Sequence, residues 1–306
     1  MFTLNDFKGI IPALITPYGK NGNFDPNCSK EMVEWLLSLG VGGFYLTGSN
    51  GTGVYMDTDE RIRVVDTITE QINGRVPVVA HIASASTQLS VKMASEAEKS
   101  GCTATSAVPS YYFKLSLPQM VEYYSQIAEA ANIPLIVYAQ TDKYEPSVEM
   151  FKELNKIENV AGVKYTGPNH YMMGRIKQHL GKDFKVYSGM DEMILSGFLY
   201  GADAAIGGTY NVIPDLYIRC VDKFLSGNIS EAQKELMAAN AIVELLLKYD
   251  GAASMHACFE FVGVNAGYNL SPTPNLDEFE KATFKKELIE LKNKLDIEPI
   301  ALFNAI

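Results

Sequence analysis

Cysteine is scarce in this chain, and the four present, Cys28, Cys102, Cys220 and Cys258, stand far apart with no C-x-x-C pair. That spacing argues against a disulfide framework or a thiolate metal cluster, so they read as small buried hydrophobes. Histidine is equally sparse. His81, His170, His179 and His256 form neither H-x-H nor H-E-x-x-H and have no carboxylates at ligand spacing, so no catalytic metal is expected. An excess of positive charge is missing too: 26 Lys+Arg against 36 Asp+Glu give a net charge of -10. No basic field draws phosphate backbones, and nucleic acid is not an expected partner. Long apolar runs are absent; residues 242–247 fall far short of the roughly 20 needed to span a bilayer, so no membrane partner is expected. The first residues have no basic stretch, and the first apolar run is broken by Pro12, so a signal peptide is not expected and the cytoplasm is the default. There is also no phosphate loop, no dinucleotide fingerprint and no nucleophile-elbow serine.

What is present is an alternation. Short apolar or β-branched runs at 9–16, 44–47, 76–82, 103–108, 134–139, 160–166, 184–188 and 204–207 give eight strand candidates. Amphipathic stretches at 30–39, 59–73, 88–100, 119–131 and 191–200 read as helices between them. Asp57 with Glu60, and Ser116 with Gln119, have capping-box spacing. Runs such as Val76-Pro77-Val78-Val79-Ala80 are apolar on both faces, which suits parallel strands covered by helices. Eight such units within about 225 residues indicate an α/β protein with a TIM (β/α)8 barrel. We take residues 1–228 as the barrel and 229–306 as a C-terminal helical extension packed on it, with helices expected at 231–249, 254–264 and 276–294. A doubly wound open sheet is the competing fold, since periodicity does not distinguish closure from openness.

In a barrel the chemistry gathers at the C-terminal ends of the strands. Those ends carry Thr47-Gly48-Ser49-Asn50, Pro109-Ser110-Tyr111-Tyr112, Tyr138, Lys164-Tyr165-Thr166, Gly189-Met190-Asp191-Glu192 and Gly207-Gly208-Thr209-Tyr210. Lys164 interrupts an apolar strand, where a long cation is costly to bury. Desolvation favours the neutral amine, which can attack a carbonyl and form a Schiff base; the alternative is a lysine snorkelling to the rim. Tyr138, ending the neighbouring strand, could exchange protons beside such an imine, or could be a core tyrosine with a satisfied hydroxyl. Gly48-Ser49-Asn50-Gly51 could hold a small carboxylate with backbone N–H groups or be a plain tight turn. Asp191 and Glu192 could bind a polyhydroxylated ligand or complement a helix dipole.

Six ordered segments resemble the N-acetylneuraminate lyase and dihydrodipicolinate synthase family: Gly9-Ile10-Ile11-Pro12-Ala13-Leu14-Ile15-Thr16-Pro17, Gly48-Ser49-Asn50-Gly51, Pro109-Ser110-Tyr111-Tyr112, Ile136-Val137-Tyr138, Gly162-Val163-Lys164-Tyr165-Thr166 and Gly189-Met190-Asp191-Glu192. The resemblance implies a (β/α)8 barrel, usually a homotetramer, that needs no cofactor and forms a Schiff base with pyruvate. It makes Lys164 the Schiff-base lysine and Tyr138 the proton-transferring phenol. Ser49 and the backbone at Asn50 would hold the pyruvate carboxylate, and Tyr111 would reach a neighbouring subunit's site. The synthase branch expects an arginine shortly after the strand-five tyrosine, and Ala139-Gln140-Thr141-Asp142 supplies none. The lyase branch expects the pattern found at Thr166, Gly189, Asp191, Glu192 and Thr209-Tyr210-Asn211, which reads a sugar-acid chain, and Gly207 and Gly208 before that last segment are further substrate-binding candidates. The implied activity is cleavage of N-acetylneuraminate to N-acetylmannosamine and pyruvate. A related 2-keto-3-deoxy sugar acid aldolase, a dihydrodipicolinate synthase and a catalytically weak keto-acid-binding protein are the alternatives.

The sequence also departs from the family pattern. Asn50 and Thr52 replace a hydroxyl and a carboxylate of its glycine turn, Ala139 stands where asparagine is common, and Gly208 stands where serine is expected. Residue 50 is expected between Tyr138 and a partner subunit's Tyr111, where an amide relays protons poorly.

Overall fold

The computed structural model describes residues 2–111, 113–142 and 144–306. Tyr112, one of the rim residues picked out above, lies outside them. Eight parallel strands run as β1 (Gly9–Pro12), β2 (Phe44–Leu46), β3 (Val78–His81), β4 (Ala104–Ala107), β5 (Leu135–Gln140), β6 (Val160–Thr166), β7 (Lys185–Ser188) and β8 (Ala204–Gly207). From β2 to β8 each strand pairs with the next in sequence, and β1 pairs with β8. The remaining seam, between β1 and β2, is joined by a parallel bridge from Ala13 to Tyr45. The sheet therefore curls into a barrel, and the open-sheet alternative is set aside.

Alternation along the strands explains why both faces are apolar. One cluster of buried side chains, including Ile11, Val79, Ile136, Tyr187 and Ile206, fills the barrel interior. Phe7 meets Tyr187 edge-to-face there at 5.4 Å. A larger cluster, with Val163 and Tyr165 of β6, packs outward against the helices. All four cysteines are free and buried, as their scatter suggested.

The helices between strands are α1 (Pro26–Ser38), α2 (Thr58–Ile72), α3 (Thr87–Lys99), α4 (Leu117–Ala128), α5 (Val148–Leu154), α6 (His170–Leu180), α7 (Ile194–Leu199) and α8 (Pro214–Leu225). After them come α9 (Ile229–Lys248), α10 (Gly251–Phe261), α11 (Glu278–Lys292) and α12 (Ala301–Ala305). The helix α1 begins four residues before its expected start, because Asp25 accepts from the backbone N–H groups of Asn27 and Cys28 and Pro26 occupies the first position. Ser116 and Gln119 form their capping contact, with Ser116 N–H donating to Gln119 Oε1 at 2.9 Å. Only half of the other box forms. Asp57 accepts from Glu60 N–H at 2.8 Å, but the Glu60 carboxylate turns away to Arg63 and to Phe24 N–H. The expected helix over 191–200 is split, its first turn being a 3-10 turn at Asp191–Met193. Among the described residues no helix is long and apolar enough to cross a membrane.

Candidate active site

Register brings the two central residues together. Tyr138 of β5 pairs with Lys164 of β6, so on parallel neighbours both side chains point the same way, into the barrel mouth. The Lys164 ammonium lies 4.0 Å from the Tyr138 ring centroid and 4.8 Å from that of Tyr45, and the residue is only 5% exposed. Among the described residues no carboxylate forms an ion pair with it; the faces of Tyr45 and Tyr138 flank it. Burial alone would raise the Tyr138 phenol. The charge of Lys164, with hydrogen bonding from Thr166, Lys164 and Gln140, outweighs burial and holds it below the ordinary tyrosine value. Gln140 Nε2 donates to that oxygen at 3.4 Å. The buried Thr166 hydroxyl has no full hydrogen bond to a described residue.

A cavity of about 300 Å³ opens beside Lys164. Of the residues chosen from sequence, Asn50, Tyr138, Lys164, Thr166, Gly189, Asp191, Glu192, Gly207 and Gly208 border it. The three glycines share one purpose, since each leaves room that another side chain occupies. A Cβ on Gly189 would fall 2.0 Å from Thr166 Oγ1, one on Gly207 1.7 Å from an Asp191 carboxylate oxygen, and one on Gly208 2.9 Å from the Asn50 amide. Asp191 is buried rather than spread over a helix start. Its Oδ2 accepts from Thr209 N–H at 2.9 Å and from the Thr209 hydroxyl at 2.7 Å. Burial pushes its pKa up to about 6, the Thr209 hydrogen bonds opposing. Across the cavity Val243, Leu246 and Met255 of α9 and α10 make an apolar wall.

Ser49 and Tyr111 are not brought to this cavity. Ser49 is exposed on its turn. Tyr111 borders a separate cavity of about 560 Å³ with Phe113 and Leu115, and its hydroxyl donates to the Ala83 carbonyl of its own chain. The Asn50 amide leans on Gly208 at the end of β8. The turn is pinned at both sides by backbone in the left-handed region, at Thr47 (φ 51°) and Thr52 (φ 51°), which β-branched residues rarely adopt.

Two polar residues beneath this turn escaped the sequence reading. Arg61 of α2 is 3% exposed and has no carboxylate partner among the described residues; it donates to the Ala83 carbonyl at 2.6 Å, the Thr47 carbonyl at 3.1 Å and the His81 carbonyl. Its second guanidinium nitrogen lies 2.8 Å from His81 Nδ1, which casts that ring nitrogen as the acceptor. Burial drives the His81 pKa well down, with the Arg61 and Lys164 charges adding to it, so the imidazole is neutral. Both carried a signal. His81 ends a strand, and Arg61 sits on the apolar stripe of its helix with Val64, Val65 and Ile68. Among the described residues no cluster of three His, Cys, Asp or Glu could hold a metal ion.

The family model for the dihydrodipicolinate synthetase family matches residues 6–291. The chain is 31% identical over 282 residues to an N-acetylneuraminate lyase of Rhizobium meliloti, covering 91% of this chain and 93% of that one. Its fold is similar to the sialic acid aldolase of Ruminococcus gnavus, with TM-score 0.89, 29% identity and coverage of 95% and 99%. It is similar as well to a dihydrodipicolinate synthase of Bacillus anthracis, with TM-score 0.88, 25% identity and coverage of 96% and 99%. A parallel barrel with a lysine and a tyrosine in register at its mouth is thus matched over nearly its whole length, and the chain belongs to the dihydrodipicolinate synthetase family of aldolase-type lyases.

Proposed function

We propose that the protein is a Schiff-base aldolase that cleaves N-acetylneuraminate to N-acetylmannosamine and pyruvate. The observation that carries this is the buried Lys164 amine over the Tyr138 ring, in a cavity that also holds Asp191 and Glu192. Tyr138, held below its ordinary value by the neighbouring charge, is the group to accept a proton from Lys164. The freed amine adds to carbon two of the open-chain keto acid; Tyr138 returns its proton to the carbinolamine hydroxyl, which leaves as water, giving an iminium and the phenolate once more. Tyr138 then takes the proton of the carbon-four hydroxyl. The bond between carbons three and four breaks, its electron pair passing into an enamine while carbon four leaves as the aldehyde. Proton return to carbon three and hydrolysis release pyruvate and restore Lys164. Thr166, Asp191 and Glu192 would bind the sugar chain, with Gly189, Gly207 and Gly208 giving the room, and the backbone at Asn50 would hold the carboxylate.

No step asks for a metal or a cofactor. In the homotetramer that the family resemblance implies, Tyr111 would act at a partner's site, and residues 229–306 would close the sugar end of the cavity through α9 and α10. The lack of an arginine after Tyr138 disfavours the synthase reaction. The substitutions at Asn50, Ala139 and Gly208, all near the site, favour another 2-keto-3-deoxy sugar acid as the second reading.

The test is borohydride trapping with pyruvate, followed by peptide mapping and a substrate panel scored for pyruvate release. The expected result is one adduct, on Lys164, absent from Lys164→Met, whose kcat falls by roughly 10⁴ or more. N-acetylneuraminate should outrank condensation with aspartate semialdehyde in kcat/KM. An adduct on another lysine overturns the mechanism, and a reversed ranking overturns the substrate.

A further inference from the structure

Asn50 and Gly208 are far apart in sequence and in contact at the cavity. A Cβ built on Gly208 would stand 2.9 Å from Nδ2 and Oδ1 of Asn50 and 3.0 Å from its Cγ. The amide thus lies over the bare Cα of residue 208, closer than any real side chain would allow. Gly208 has an ordinary right-handed backbone, with φ -74° and ψ -44°, so conformation does not require a glycine there. The amide does. No described residue hydrogen-bonds that amide, although it borders the same cavity as Lys164 and Asp191. Two donors and an acceptor of this half-buried side chain therefore face the cavity with no partner among the described residues, open to a ligand in place of water.

We propose that Asn50 and Gly208 are one coupled specificity element, in which the amide hydrogen-bonds the hydroxyl chain of the substrate beside Asp191. The identity of that ligand rests on the aldolase reading. The chemistry follows from adjacent seats: Gly207 leaves room for the Asp191 carboxylate and Gly208 for the Asn50 amide. One Asp191 oxygen is held by Thr209, and the other is left to accept from a substrate hydroxyl. The amide beside it both donates and accepts, so the two together suit a polyol, whose hydroxyls also do both. An aldehyde acid with a bare carbon chain would leave both groups unmet, and buried polar groups left unpaired discriminate strongly. Threonine at 50 would be too short to cover residue 208, and serine at 208 would refill the gap.

The test is a cycle of Asn50→Thr, Gly208→Ser and the double variant, read as kcat/KM for N-acetylneuraminate, with thermal midpoints and borohydride trapping of pyruvate in the same preparations. Gly208→Ser should lose about 100-fold or more, because the new side chain displaces the amide, and Asn50→Thr about tenfold. The double variant should be at least about tenfold better than Gly208→Ser alone. Losses that multiply in the double variant, or an Asn50→Thr as active as the parent, overturn the proposal. If the parent traps no pyruvate, the aldolase reading fails instead. The coupling is then decided by the midpoints, where a drop in Gly208→Ser regained in the double variant supports it and additive drops overturn it.

Discussion

The two halves of the barrel mouth are built on different principles. From β5 to β8 the functional groups sit on strands or on the first turn after them. They are set by register and by glycines that leave them space, and they border one cavity. From β2 to β4 the polar groups are knitted to one another. Arg61 and Tyr111 both donate to the Ala83 carbonyl, Arg61 also binds the Thr47 and His81 carbonyls, and Tyr45 donates to Ser106 Oγ at 3.0 Å. The first half leaves hydrogen-bonding capacity open, as at Thr166 and one oxygen of Asp191. Apart from the Asn50 amide, the second uses its capacity internally. One half is therefore arranged to receive a ligand and the other to hold the turn that faces it, and substitutions on the two sides should separate activity from stability.

The largest effect on folding is expected at Arg61. Arg61→Met removes a buried cation, which relieves desolvation, but it strips the donor from the Thr47 carbonyl and from His81 Nδ1, and leaves the Ala83 and His81 carbonyls only Tyr111 and the Thr47 hydroxyl. At about 1–3 kcal/mol for each unsatisfied buried group, the loss outweighs the relief, and a destabilisation of roughly 4 kcal/mol is expected. Denaturant unfolding measures it. A variant within about 1 kcal/mol of the parent would show that the clamp on Thr47, His81 and Ala83 does not hold the second half together.

Asp191 should invert that pattern. Its folded pKa of about 6 lies above the 3.8 of an ordinary aspartate, chiefly through burial. Protonation is thus coupled to folding: the associated stability is full below about 3.8 and is lost as pH rises through about 6. Above that pH the folded protein carries a buried charge that costs on the order of 3 kcal/mol, tempered by its Thr209 hydrogen bonds. Asp191→Asn keeps an acceptor for Thr209. It should match the parent near pH 4, be more stable at pH 8, and lose about 100-fold or more in kcat/KM. A stability difference independent of pH would break the contrast between the halves.

The same division explains what could be read from the sequence. All eight strands were legible because helix-covered parallel strands are apolar on both faces, and Lys164 was conspicuous as the cation among Val160, Ala161, Gly162 and Val163. Strand ends then gave most of the cavity's border. Eight strand-helix units were read, but the helices α5, α6 and α8 were given no bounds; in α5, seven residues show too little periodicity to set them. Loop geometry was not legible. The orientation of Ser49 depends on left-handed backbone at Thr47 and Thr52, and neither residue type announces it. The lean of Asn50 onto Gly208 is a contact between distant segments. Arg61 and His81 were visible only as a charged residue on an apolar stripe and a titratable one at a strand end, and the contact between them belongs to the fold.

The smallest effect is expected at Ser49, where the family pattern and the observed geometry pull apart. The pattern has Ser49 hold the pyruvate carboxylate, yet here the residue is exposed and outside the cavity that holds Lys164 and Tyr138. Residue 50, its neighbour, turns toward β8 instead. With Gln140 donating to the Tyr138 oxygen and Thr166 lowering the same phenol, the tyrosine has polar neighbours that do not include Ser49. Ser49→Ala should therefore change stability by less than about 0.5 kcal/mol and kcat/KM by less than about threefold. Parallel pH profiles of parent and variant make the comparison sharp. A loss of about 100-fold with a shifted basic limb would mean that the turn swings Ser49 into contact with the substrate, so that the second half of the mouth takes part in the chemistry after all.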